Sequence, residues 1–180
     1  GKGKAPNALA DFKGMRVRAI GGIGDAMRNI GAVPTSVPAT EVYTSIERGT
    51  VEAASFPSTY AHAAYKIHEV GSWFTTNLSP GTQACPTLIN RNAWAQIPAQ
   101  YQQLFEEARP KVKQALVKAY GAADEKNLPL FRHRLAFVSY TPAELPQFHQ
   151  VGAKPVWDAW VAEMSAKGIP ARELLDLIFA

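Results

Sequence analysis

Residues 11–24, Asp11-Phe12-Lys13-Gly14-Met15-Arg16-Val17-Arg18-Ala19-Ile20-Gly21-Gly22-Ile23-Gly24, decide the fold. Met15, Val17 and Ala19 alternate with Arg16 and Arg18, the period of a short strand with one apolar face. The strand runs into Gly21, Gly22 and Gly24, and a helical pattern (Ala26, Met27, Ile30) follows at once. A strand that feeds a helix through glycines ends at the carboxyl edge of a sheet, where open α/β sheets bind ligands. Arg18 is therefore expected beside bare backbone N–H groups and a helix N-terminus, all suited to a carboxylate or a phosphate. The plainer alternative is an arginine solvated or paired at the surface.

The alternation continues outward. Gly31 ends the first helix, and residues 32–37 are a short extended stretch pinned by Pro34 and Pro38. A helix from Pro38 carries Glu41 in its first turn, where negative charge suits the helix dipole. Val42, Tyr43 and Ile46 are its buried stripe, and Gly49 closes it. Residues 50–56 are expected as a strand, 58–70 as a helix, 72–76 as extended, 77–86 as a loop and 87–90 as a strand. Strand and helix in turn over fewer than a hundred residues predict an α/β sheet of mostly parallel order.

A different pattern follows. From Ile97 to Tyr120 apolar residues recur at steps of three and four, the longest helical signal in the chain. Pro110 lies off the stripe and predicts a kink. Residues 136–140 are expected as a strand. Thr141, Pro142 and Glu144 form a capping box with proline at the first helical position. Val156, Trp157, Trp160, Val161 and Met164 make a bulky stripe, which Gly168 and Pro170 end before a last helix over residues 171–179.

Composition narrows the function. The chain has 180 residues, 47% of them hydrophobic, and a formal charge of +4. The basic residues are scattered, which argues against nucleic acid and is compatible with a small anion. Cys85 is the only cysteine, so no internal disulfide and no cysteine-based metal site is expected. No apolar run approaches the roughly 20 residues that cross a bilayer. The opening Gly-Lys-Gly-Lys-Ala-Pro-Asn resembles mid-loop sequence, and a fragment of a longer chain is expected. His62, His68, His133 and His149 lack the close helical pairing of metal ligands. The glycine turn invites a dinucleotide, but Met27 stands where the fingerprint needs its third glycine. Asn77-Leu78-Ser79 matches a glycosylation acceptor by pattern alone. No catalytic constellation is present, and no cofactor is expected.

Three stretches together resemble the substrate-binding subunits of tripartite ATP-independent periplasmic (TRAP) transporters. Asp11-Phe12-Lys13-Gly14-Met15-Arg16-Val17-Arg18 is similar to the family's D-L-K-G-L-K-x-R. Pro38-Ala39-Thr40-Glu41-Val42-Tyr43 with Ile46-Glu47-Arg48-Gly49-Thr50-Val51-Glu52 is similar to P-x-x-E-V-Y-x-A-L-Q-x-G-x-V-D. The third is the long helix after Asn92-Ala93-Trp94-Ala95-Gln96-Ile97-Pro98, followed by P-x-W-x-x-W at Pro155 to Trp160.

The resemblance implies a type II periplasmic-binding-protein-like α/β lobe: a mostly parallel sheet flanked by helices, with a long interlobe helix. Residues 1–83 would be the ligand-binding second lobe, 84–125 a strand and helix crossing toward a first lobe, and 126–180 the return. The implied function is a periplasmic receptor, not an enzyme and not itself membrane-embedded. It would bind an organic acid between lobes and deliver it to TRAP membrane subunits. Arg18 falls on the arginine that pairs with the ligand carboxylate. Gly21, Ser55 and Phe56 fall at ligand-contacting or cation-binding positions, and Gln83, in the loop before Cys85, completes the expected set. Ser55 in place of a glutamate argues against a bound metal, and Phe56 favours an acid with an apolar or aromatic portion. The alternative is a nucleotide-binding α/β enzyme using the turn at Gly21 to Gly24.

Overall fold

The computed structural model describes residues 1–82 and 86–179. A 3-10 turn at Leu9–Phe12 leads into β1 (Arg16–Arg18), α1 (Gly21–Asn29) and β2 (Val33–Thr35). A second 3-10 turn at Ala39–Glu41 then opens α2 (Val42–Glu47), followed by β3 (Ala53–Ala54). These strands form one parallel sheet in the order β2-β1-β3, with Arg16 opposite Val33, Arg18 opposite Thr35, and Val17 opposite Ala53. The chain continues through α3 (Tyr60–Ala64), α4 (Ile67–Val70), β4 (Trp73–Thr75), α5 (Arg91–Gln96), α6 (Ala99–Arg134) and β5 (Ala136–Val138). β4 and β5 pair in parallel, Trp73 opposite Ala136 and Thr75 opposite Val138. Then come α7 (Glu144–Phe148), a π turn at His149–Ala153, α8 (Lys154–Ala166) and α9 (Ala171–Phe179).

The two sheets share one core. Phe12, Val17, Ala19, Met27 and Ala53 from the first pack with Trp73, Val138 and Tyr140 from the second. β1 is central and is buried on both faces, as parallel strands between helices are: Val17 is 3% exposed and Arg18 7%. Arg16, at the strand's exposed start, bonds Glu52 instead, at 3.2 Å. Residues 1–2 bridge the sheets, with Lys2 N–H donating to Glu52 O at 2.8 Å and Ser72 N–H to Gly1 O at 2.7 Å.

Three expectations are corrected. The helix expected over residues 58–70 is two helices, α3 and α4, because Lys66 takes the left-handed conformation (φ 56°) between them. The break turns Ile67 into a separate core with Val42, Ile46 and Val51. The strand expected at 87–90 does not form. Among the described residues no strand pairs with it, Leu88 is 86% exposed, and Asn90 instead caps α5 by accepting from Asn92 N–H and Ala93 N–H. The long helix outruns its apolar pattern: α6 has 36 residues and passes through both Pro110 and Pro129. At 1.5 Å per residue it is about 54 Å long, yet only Asn127 and Phe131 are buried on it. Its first two-thirds expose Tyr101, Leu104, Phe105, Val112 and Val117.

Candidate functional site

Arg18 closes β1 at the carboxyl edge of the sheet, where parallel neighbours on both sides supply backbone carbonyls. Its Nε donates to Val37 O at 3.1 Å and its Nη1 to Ser55 O at 3.0 Å. Ser55 N–H donates back to Arg18 O at 2.8 Å, so the two residues hold each other. Beneath the guanidinium lies Phe56, its ring centroid 4.4 Å from Cζ, a cation–π contact. Phe56 in turn stacks on Tyr65 at 5.5 Å and 23°. Layering and hydrogen bonding thus fix the plane of the fork.

A guanidinium carries five N–H hydrogens, and two are spent on these neutral carbonyls. Among the described residues no carboxylate lies within ion-pair distance of Arg18. Burial lowers its pKa from the ordinary arginine value, and the electrostatic effect of Tyr65 partly restores it. Arginine keeps its charge regardless.

The fork faces a cleft of about 1060 Å³. Arg18, Ile20 and Ile23 form one wall, and Ser55, Phe56 and Ser58 the next. Tyr60 and Tyr65 follow, with Leu116 and Tyr120 reaching in from α6. Residues 75–82 make the remaining side. That segment is tied down at its start: Asn77 Nδ2 donates to Tyr140 O at 2.7 Å, and Tyr140 N–H donates to Asn77 Oδ1 at 2.9 Å. The amide that the glycosylation pattern would require is therefore engaged on both sides. Further along, Gly81 lies so close to Ile23 that a Cβ would come within 2.9 Å of its Cγ1.

Of the expected site residues, Arg18, Ser55 and Phe56 meet in one layer at this cleft. Gly21 does not join the wall: it opens α1 at φ +55°, a conformation glycine adopts freely, with open space where a Cβ would point. Gly24 serves packing, since a Cβ there would sit 3.2 Å from Ala19 O. Gln83 and Cys85 lie outside the described residues. Among the described residues no cluster could hold a metal ion, and no helix is long and apolar enough to cross a membrane.

Sequence reasoning missed the Val37 carbonyl, Tyr65, and the wall that α6 lends. It also missed His62 behind Phe56. The His62 ring stands edge-on to Phe56, Phe74 and Phe131 at 5.8, 5.5 and 6.4 Å. Burial there drives its pKa down to about 4.

Comparison with known proteins gives a family and a fold. The family described as bacterial extracellular solute-binding protein, family 7, matches residues 2–164. The monocarboxylate 2-oxoacid-binding periplasmic protein of Nostoc sp. is 26% identical over 129 residues, covering 69% of this chain and 35% of that protein. A TRAP periplasmic solute-binding protein of Desulfovibrio salexigens, solved with orotic acid, superposes with a TM-score of 0.80 at 20% identity over 97% of this chain and 55% of its own. One from Bordetella bronchiseptica, solved with (R)- and (S)-mandelate, gives 0.77 at 22% identity over 94% and 55%. The architecture is thus the type II periplasmic-binding fold, and the chain spans 35% of the curated relative and 55% of these two solved chains.

Proposed function

The chain belongs to bacterial extracellular solute-binding protein family 7, a family of transport receptors and not of enzymes, and from that premise we propose that it forms the acid-gripping part of a periplasmic receptor. The receptor binds an organic acid in the cleft and hands it to TRAP-type membrane subunits. One observation carries this: a guanidinium only 7% exposed, hydrogen-bonded among the described residues to neutral carbonyls alone, facing an open cleft. Carbonyl dipoles orient such a charge without cancelling it, and a buried charge is stable only when paired. A carboxylate supplies the missing pairing through parallel N–H···O bonds. Phe56 and Tyr65, stacked beside the fork, favour an acid with a flat or apolar portion. The orotate and mandelate of the two solved neighbours agree with that class, and the name of the Nostoc relative agrees with a carboxylate.

Residues 1–83 and 126–180 make the ligand-binding lobe in this proposal, and 84–125 cross toward a first lobe. The apolar face that α6 exposes over its first two-thirds supports the crossing. Ligand capture is then a population shift toward a closed form, with no bond made or broken.

Calorimetric titration tests the assignment, in a polypeptide of the relatives' length that carries this chain. Pyruvate, mandelate and orotate are the probes, with NAD and ATP as controls that should give no heat. Arg18→Lys should weaken acid binding about 10- to 150-fold, the cost of losing charged hydrogen bonds worth about 1.5–3 kcal/mol. Parent-like binding by that variant, folded by circular dichroism, overturns the proposal.

A further inference from the structure

We infer that the cleft and the long helix are coupled, and that Asp124 is the positioning residue that ties them. The inference rests on reading the cleft as the acid site.

Thr59 lies between Ser58 and Tyr60, both of which line the cleft. It is 1% exposed. Its N–H and its hydroxyl both donate to Asp124 Oδ1, at 2.9 and 2.8 Å. Its Oγ1 accepts from Asn127 Nδ2 at 3.3 Å, and Asn127 is itself buried. One turn back along α6, Tyr120 packs against Tyr60 with ring centroids 4.9 Å apart. Leu116, a further turn back, reaches the cleft.

Residues 116, 120 and 124 share one helix face at i, i+4 spacing. That face gives the cleft two side chains, Leu116 and Tyr120, and meets residues 58–60 through the Tyr120–Tyr60 ring contact and one hydrogen-bonded clamp. The clamp is half-buried, with Thr59 and Asn127 inside and both Thr59 donors engaged, which makes it stiff. A shift of Ser58 or Tyr60 on ligand entry must therefore be passed to α6 or break the clamp.

The helix amplifies what it receives. From Asp124 back to Ala99 is 25 residues, about 37 Å at the helical rise, so a rotation of about 5° at the clamp moves the far end about 3 Å. The output of the cleft is thus the direction of the exposed arm of α6.

The test uses a polypeptide of the relatives' length that carries this chain, with its native cysteines, Cys85 among them, replaced by serine and with spin labels at Arg48→Cys and Lys113→Cys, both exposed. Without ligand, Asp124→Ala should broaden the label-to-label distance distribution. It should also speed amide exchange in residues 57–64 about tenfold, the effect of a lost opening cost of ordinary size. Asp124→Asn and Thr59→Ser, which keep the acceptor and the donors, should leave both as in the parent. With saturating mandelate the parent's label distance should shift, and Asp124→Ala should bind mandelate without that shift.

A shift that persists in Asp124→Ala shows the residue to be merely structural and overturns the coupling. So do exchange and label distances that stay as in the parent. Should mandelate leave the parent's melting temperature unchanged, the acid reading fails for that ligand, while the ligand-free arm still decides the clamp.

Discussion

Acid should destabilise this protein through His62, and the effect can be sized. The ring is boxed by Phe56, Phe74 and Phe131. Burial, the largest cause, lowers its pKa from 6.5 in the unfolded chain to about 4 in the native state. Above pH 6.5 neither state binds the proton, and the contribution is fully present. Between 6.5 and 4 the unfolded chain takes up a proton that the native chain refuses, so stability falls as pH falls. An interval of 2.5 pH units, at about 1.4 kcal/mol each, is about 3.5 kcal/mol in full, of which about 3 kcal/mol is lost by pH 4, where the native ring is half protonated. Urea unfolding followed by far-ultraviolet circular dichroism, at half-unit steps from pH 7.5 to 4, measures the slope. His62→Leu keeps the box apolar and should flatten the slope by about 1.4 kcal/mol per unit between 6 and 4.5. Carboxylates contribute equally to both proteins and cancel in the difference. Parallel stability curves for parent and His62→Leu would refute the reasoning.

Two further substitutions test how the site is held. Phe131→Ala removes a fully buried ring, stacked on His68 at 5.3 Å and edge-on to Phe74 at 5.4 Å, and should cost about 3–5 kcal/mol in urea unfolding. Val112→Ala on the exposed arm of the same helix is its control and should change stability by less than about 0.5 kcal/mol. Asn77→Ala leaves Tyr140 N–H and C=O without their partner and should cost about 1–3 kcal/mol, read as a lower melting temperature with faster amide exchange in residues 76–82.

What was legible in the sequence was local. The strand, glycines and helix of residues 15–30 announce themselves by period and punctuation, and they alone put Arg18 at a sheet edge. The signal at Thr141 is equally local but only half kept: Glu144 Oε2 accepts from Thr141 N–H at 2.8 Å, while the helix opens at Glu144 with Ala143 as its N-cap, so Pro142 is not its first residue. The failures all needed a distant partner. A strand at 87–90 requires a neighbouring edge, which period cannot supply. Gly121 and Pro129 both weaken a helix, but α6 runs through them, with Asn127 buried beyond the first and Phe131 beyond the second. The acceptors of Arg18 are main-chain carbonyls of Val37 and Ser55, and any residue type carries a carbonyl. Thr59 and Asp124 are 65 positions apart, and neither has a sequence signature.

The division of labour within the layer of Arg18, Phe56 and Tyr65 follows from what each group can do. Val37 O and Ser55 O take two N–H groups and leave the charge unneutralised, so the fork is oriented in advance and keeps its attraction for an anion. Preorganisation of this kind lowers the entropic cost of binding instead of adding contacts. The aromatic pair adds little charge preference but a defined apolar surface beside the fork, and each ring brings only two torsions to freeze. On the proposed function, Arg18 then determines whether any acid binds, and Phe56 determines which. Because Phe56 also touches His62, and Ser58 and Tyr60 flank the residue clamped to α6, the selective wall of the cleft is the one connected to the rest of the molecule, while the charged anchor is fixed to the rigid sheet.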